Sequence, residues 1–215
     1  MTPRRYGVVV FMAAGVLGAT LGGCAPSRPA APRPAGPTAA SLYSQGVNAY
    51  RAGDRDRAAR LLTQAVQKNP DLAMAHSVLG DIYKEQGNYE GAASQYETLT
   101  KLDPYAADNH HRLAVSYHFL NRLREAAASY LKAVRLNPRD WKSSMNLGLV
   151  YMALGENNSA VEYCQRAANL NPLSAVAQAN LGVALDARGN VAEAEAAYRR
   201  ALTIDASQTL SLIHI

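Results

Sequence analysis

The side chains in this chain that could do chemistry are few. Histidines stand at His76, His110, His111, His118 and His214, and the two cysteines are Cys24 and Cys164. A zinc centre needs ligands converging from set spacings, such as two histidines one helical turn apart, and no histidine pair here has i, i+4 spacing. His111 and His118 would share one helix face, but no Cys, Asp or Glu is spaced to complete the set. No metal and no cofactor is therefore expected. Two cysteines cannot make a disulfide framework or a four-cysteine cluster. There is also no phosphate-cradling glycine loop, no G-x-S-x-G elbow and no HExxH. No residue is assigned a catalytic role, and the chain reads as a non-enzyme.

What remains is binding, and the elements that would carry binding side chains are set by repetition. Of 215 residues, 48% are apolar and 18% charged, enough to build a core, and the excess of Ala over aromatic and β-branched residues favours packed helices. Pro70, Pro104, Pro138 and Pro172 recur every 34 residues, each after Asn or Asp. This spacing frames five repeats, at 39–72, 73–106, 107–140, 141–174 and 175–208. Position 20 of the frame is Ala throughout, as Ala58, Ala92, Ala126, Ala160 and Ala194, and position 8 is Gly46, Gly80, Ala114, Gly148 and Gly182. Small residues at both positions let two helices touch closely. Leu recurs at position 7, as Leu79, Leu113, Leu147 and Leu181, and Tyr at positions 11 and 24, as core filler. Cys164 falls at position 24 and reads as a small buried hydrophobe. Position 15 holds Gly53, Gly87, Asn121, Gly155 and Gly189, the two residue types that best tolerate the left-handed conformation ending a helix.

This pattern resembles the tetratricopeptide repeat over about 170 residues. The resemblance implies an all-α, right-handed α-solenoid of helix-turn-helix units, with A helices lining a concave groove and B helices forming the outer wall. Departures sit mostly at the ends, with Gln45 at the Leu position, Leu185 at a Tyr position and Ala206 at the Pro position. The family's groove positions point to Tyr50, Lys84, His111, Arg112, Lys142, Met145, Asn146 and Asn180 as a surface for a protein or peptide partner. Asn146 and Asn180 lie in Asn-Leu-Gly triplets that resemble the asparagine ladder of O-linked N-acetylglucosamine transferase, whose amides grip peptide backbone. Arg112 fits one position of the family's carboxylate clamp, but Val78 stands where that clamp needs Asn, so the clamp is not assigned.

The front of the chain reads as an address. Arg4 and Arg5 precede an apolar run from Gly7 to Leu21, and Leu21-Gly22-Gly23-Cys24 resembles the lipobox of bacterial lipoproteins. That resemblance implies a signal peptide over 1–23, lipidation at Cys24, and a cell-envelope location with the repeats outside the cytoplasm, at the outer membrane or periplasm. A Pro/Ala-rich tether is expected over 24–38, where Pro26, Pro29, Pro32, Pro34 and Pro37 prevent a helix. Membrane contact is expected through the lipid alone. Arg4, Arg5, Arg28 and Arg33 carry most of the formal charge of +5; the remaining 18 bases face 17 acids, so a nucleic-acid partner is not expected. At the other end, Leu210-Ser211-Leu212-Ile213-His214-Ile215 resembles a translated transposon-end adapter, so the natural chain is expected to continue past Thr209. Two functions stay open. One is a lipid-anchored scaffold that binds an extended partner segment and assists envelope, pilus or secretion machinery; the other is the substrate-recognition arm of a larger enzyme such as a glycosyltransferase.

Overall fold

The computed structural model describes residues 36–205, so the expectations for the signal, for Cys24, for most of the tether and for the tail lie outside the described residues. Within 36–205 there are ten helices and no strand: α1 (Ala39–Arg51), α2 (Arg55–Lys68), α3 (Ala73–Glu85), α4 (Tyr89–Leu102), α5 (Ala107–Phe119), α6 (Leu123–Leu136), α7 (Trp141–Ala153), α8 (Asn157–Leu170), α9 (Ala175–Ala187) and α10 (Val191–Ile204). Odd-numbered helices open the five sequence frames at residues 39, 73, 107, 141 and 175. The extensive contacts run between helices adjacent in sequence, and α7 also meets α9. This is the neighbour-to-neighbour packing of an α-solenoid. No described helix is long and apolar enough to cross a membrane.

Every helix pair is joined by the same turn. Gly53, Gly87, Gly155 and Gly189 have φ between 73° and 88°, and Asn121 sits at φ 56°. The N–H of that residue bonds back to the carbonyl three residues earlier, as in Gly53 to Tyr50 and Asn121 to His118. The next N–H reaches five residues back, as in Asp54 to Ala49, Arg122 to Tyr117 and Asn190 to Leu185. Those two bonds are the Schellman pairing, which satisfies otherwise orphaned carbonyls. Asp54 and Asn88 then cap the following helix, their side chains accepting the N–H of Arg57 and of Gly91 at 3.0 and 2.9 Å. At the other end of each pair, Asn69, Asp103 and Asn137 accept the N–H two residues on, across the proline that cannot donate. The Asn/Asp-Pro step is thus a chain reversal into the next repeat.

Between the helices of a pair, position 8 faces position 24. A Cβ added at Gly80 would lie 2.6 Å from the Tyr96 ring, at Gly182 2.5 Å from Tyr198, at Gly46 2.8 Å from Leu62 and at Gly148 2.5 Å from Cys164 Sγ. Ala58, Ala92, Ala126, Ala160 and Ala194 are buried beside these contacts. Cys164 is fully enclosed, and burial pushes its thiol up to about 12, so it packs as an uncharged side chain.

Gly148 makes the closest backbone approach of these, because the Cys164 N and Ala160 O backbone atoms also lie 3.1 and 3.2 Å from an added Cβ. Gly148→Ala is expected to cost about 1–3 kcal/mol by overpacking. Cys164→Ala in the same chain should recover only part of the loss, since the backbone contacts remain. Chemical denaturation of the two variants checks this, and unchanged stability of Gly148→Ala would disprove the close approach.

Candidate functional site

Side chains tie the odd-numbered helices α1, α3, α5 and α7 to one another in sequence, forming one face. Between α1 and α3, the Tyr50 hydroxyl donates to Glu85 Oε1 at 2.5 Å, and Arg55 at the start of α2 donates to the other Glu85 oxygen at 2.8 Å. These two hydrogen bonds hold the Glu85 carboxyl below its usual range, and the Glu85 bond raises the Tyr50 phenol. Between α3 and α5, Arg112 donates to Ser77 Oγ and to Asp81 Oδ2, both at 3.0 Å. Between α5 and α7, His111 Nδ1 pairs with Ser143 Oγ at 2.6 Å.

Asp81 is the hub of the first half of this face. Besides Arg112 it accepts the Tyr96 hydroxyl at 2.8 Å and Lys84 Nζ at 3.3 Å. Arg112 completes its fork on Asp108 Oδ2 at 2.6 Å. Tyr96 therefore fills the α3–α4 core and delivers its hydroxyl to the face; burial, then the Asp81 bond, pushes its phenol upward. The second half is less charged. His111 lies edge-on to the Tyr130 ring with centroids 5.6 Å apart, and burial raises the Tyr130 phenol, opposed by the Asn146 side chain. Ser143 is fully buried and donates to Asp140, whose other oxygen accepts the Lys142 N–H at 3.0 Å and caps α7.

Seven of the eight residues expected on this face are at least partly open. Tyr50, Lys84, His111, Arg112, Met145 and Asn146 are half-buried, and Lys142 is exposed with its ammonium 5.9 Å from the Trp141 ring centre. Asn180 is different. It is 6% exposed, so it is more deeply buried than the half-open Asn146. Sequence reasoning missed Ser77, Tyr96, Asp140 and Ser143. The Asp140-x-x-Ser143 spacing at a helix start was a readable cue for the last two; the reach of Tyr96 to Asp81 was not. No group of three or more His, Cys, Asp or Glu among the described residues is placed to hold a metal. An apolar recess of about 310 Å³ lies away from the face, between Pro172, Leu173 and the α10 residues Arg199, Arg200, Thr203 and Ile204, with no convergent polar set to orient a ligand.

Two imidazoles on α5 are held below the usual value near 6.5. Burial lowers His111, opposed by Asp140 and Asp108, and burial alone lowers His118. The unfolded chain then binds more protons than the folded one as pH falls below about 6.5, so this stabilisation is full above that value and lost below it. The thermal midpoint is expected to drop as pH falls below about 6.5. His118→Gln should reduce that slope; a midpoint as pH-dependent in the variant as in the parent would refute the assignment.

The comparisons with known proteins agree on the fold. The sequence profile described as Tetratricopeptide repeat matches residues 43–107, 111–175 and 160–209. Among solved structures, the chain is similar to MamA with a TM-score of 0.74 and 22% identity, covering 79% of this chain and 93% of that one. It is similar to YrrB, described as a TPR protein with an unusual peptide-binding site, at TM-score 0.73 and 20% identity over 82% and 90% of the two chains. It is similar to pilF of Pseudomonas aeruginosa at TM-score 0.63 and 20% identity over 77% and 76%. Superkiller complex protein 3 of Mus musculus is 28% identical over 79 residues, 37% of this chain and only 5% of that protein. With the repeat profile covering most of the chain and ten helices in the matching frame, this protein belongs to the tetratricopeptide repeat family, an all-α solenoid that serves as a protein-interaction scaffold.

Proposed function

We propose that this chain is a non-catalytic, lipid-anchored scaffold whose A-helix face takes an extended segment of a partner protein. The observation that carries the reading is the side-chain linkage of α1, α3, α5 and α7 into one face whose hydrogen-bonding groups stay half open. A bound chain in extended form needs donors and acceptors repeated along its length, and a row of parallel helices supplies them at regular intervals. Arg112 and Lys84 offer donors, Asn146 offers both kinds, and Met145 and Met152 offer adaptable apolar contact. The peptide-binding site described for YrrB, a protein of the same fold, supports the same class of ligand.

Lipidation at Cys24 would place the repeats outside the cytoplasm, at the outer membrane or in the periplasm, where the scaffold assists assembly of envelope, pilus or secretion machinery. Support for this part comes from the Leu-Gly-Gly-Cys motif behind a basic and apolar start and from the proline-rich stretch after it.

Both parts are testable. Extended peptides selected on the parent protein from a random display library should lose most of their affinity for a Lys142→Glu, Asn146→Ala variant, while stability changes by no more than about 0.5 kcal/mol. Fluorescence anisotropy and thermal melts measure the two quantities; retained affinity would remove the A-helix face from the binding reading. Expressed in a bacterial host with an alkyne fatty acid, the parent should carry the label and Cys24→Ser should not. An unlabelled parent would rule out the anchor.

A further inference from the structure

We propose that His111 is a preset hydrogen-bond acceptor on the A-helix face, its proton held on Nδ1 by Ser143 and Asp140 so that Nε2 is offered to an N–H donor of the bound segment. The inference rests on the binding role proposed above and specifies one of its contacts.

The proton placement follows from counting donors. A carboxylate accepts only, and a serine hydroxyl has one hydrogen to give. Ser143 Oγ lies between Asp140 Oδ2 and His111 Nδ1. Its hydrogen goes to the carboxylate, since two facing acceptors would otherwise repel. Ser143 Oγ can then only accept from His111, which requires the hydrogen on Nδ1. In the neutral ring the other nitrogen is therefore a bare acceptor. His111 Nδ1 also lies 3.8 Å from Asp140 Oδ2, an arrangement that favours a proton on that side. Nε2 takes no hydrogen bond among the described residues.

The relay is built to hold. Ser143 is fully buried within α7, and Asp140 is fixed at the start of that helix by the Lys142 N–H. The imidazole is braced edge-on by Tyr130 of α6 and keeps 23% of its side-chain surface open. The groups around the ring are Asp108 and Arg112 on α5, Tyr130 on α6, and Asp140 with Lys142 at the start of α7. Burial keeps the ring neutral at pH 7, which is the state an acceptor needs. The other described histidines that bond through a ring nitrogen to a backbone carbonyl, His76 to Pro70 and His110 to Pro104, are both buried at the helix joint. His111 is the one tied to a carboxylate through a hydroxyl.

Two measurements test this. Long-range ¹H–¹⁵N NMR on the histidine-labelled protein at pH 7.5 reads the tautomer directly. The Nδ1–H form is expected for His111, and Ser143→Ala, checked for fold by circular dichroism, should release it toward the Nε2–H form. An Nε2–H tautomer in the parent overturns the proposal without touching the binding role. In the second, a peptide selected on the parent is N-methylated at one backbone nitrogen at a time. One position is expected to cost about tenfold in affinity, the loss of one hydrogen bond, and to cost little when His111→Phe replaces the ring. Peptides that bind but show no His111-dependent position overturn the acceptor alone; failure of every peptide to bind overturns both the acceptor and the binding role.

Discussion

Four of the five helix pairs close on one contact, between a glycine and the side chain at position 24 of the partner helix: Gly46 on Leu62, Gly80 on Tyr96, Gly148 on Cys164, Gly182 on Tyr198. The clearance in these pairs leaves no room for a Cβ, and the third pair carries the next smallest residue, Ala114, at that position. Dispersion and apolar burial both depend on such approach, since a gap of even half an ångström forfeits much of the attraction. In repeat four the side chain at that position is only Cys164, and backbone atoms of α8 lie 3.1 and 3.2 Å from where a Cβ on Gly148 would stand, so backbone as well as side chain excludes one.

That contact would fail without the turn that aims it. Five Schellman closures with the same two hydrogen bonds join each B helix to its A helix, and the residue in the left-handed conformation is Gly four times and Asn once. Asn121 is the instructive case. Its φ of 56° sits in the left-handed region, which an L-residue enters at a cost that Asn bears more easily than most. These backbone demands recur with the repeat period and are met by few residue types, so they are visible in one sequence. The A-helix starts, the turn positions and the small residues of the close contact were legible there; that position 8 faces position 24 was not.

The A-helix face was only half legible. The family positions identified Arg112, His111 and Asn146, because a helix face follows from residue spacing. What they bond to did not follow. Asp81 meets Arg112 across the step between neighbouring repeats, a distance that a within-repeat pattern does not encode, and Tyr96, a core position by its period, extends its hydroxyl past the core to Asp81 in its own repeat. Asn180 shows the same limit from the other side. It repeats the Asn146 triplet in sequence, yet it is buried whereas Asn146 stays half open. Identical local motifs therefore differ in exposure through the packing around them, which the triplet does not encode.

The two halves of the face would treat a ligand differently. Around Asp81 every cation already has a carboxylate: Arg112 spans Asp81 and Asp108, and Lys84 leans on Asp81. Asp81 is the more deeply held partner, with 29% of its side chain open and a phenol from the core donating to it, while Asp108 is 68% open. An exposed ion pair contributes little, so a ligand carboxylate can displace Asp108 from Arg112 at small cost, but not Asp81. The internal acid thus keeps the guanidinium fixed in orientation and leaves one edge exchangeable. Across α5 and α7, by contrast, the face carries neutral donors and acceptors on His111 and Asn146, with Met145 and Met152 on the same helix as Asn146. That half suits backbone amides more than charges, so an extended segment with an acidic group at one end would find complementary partners along the whole face.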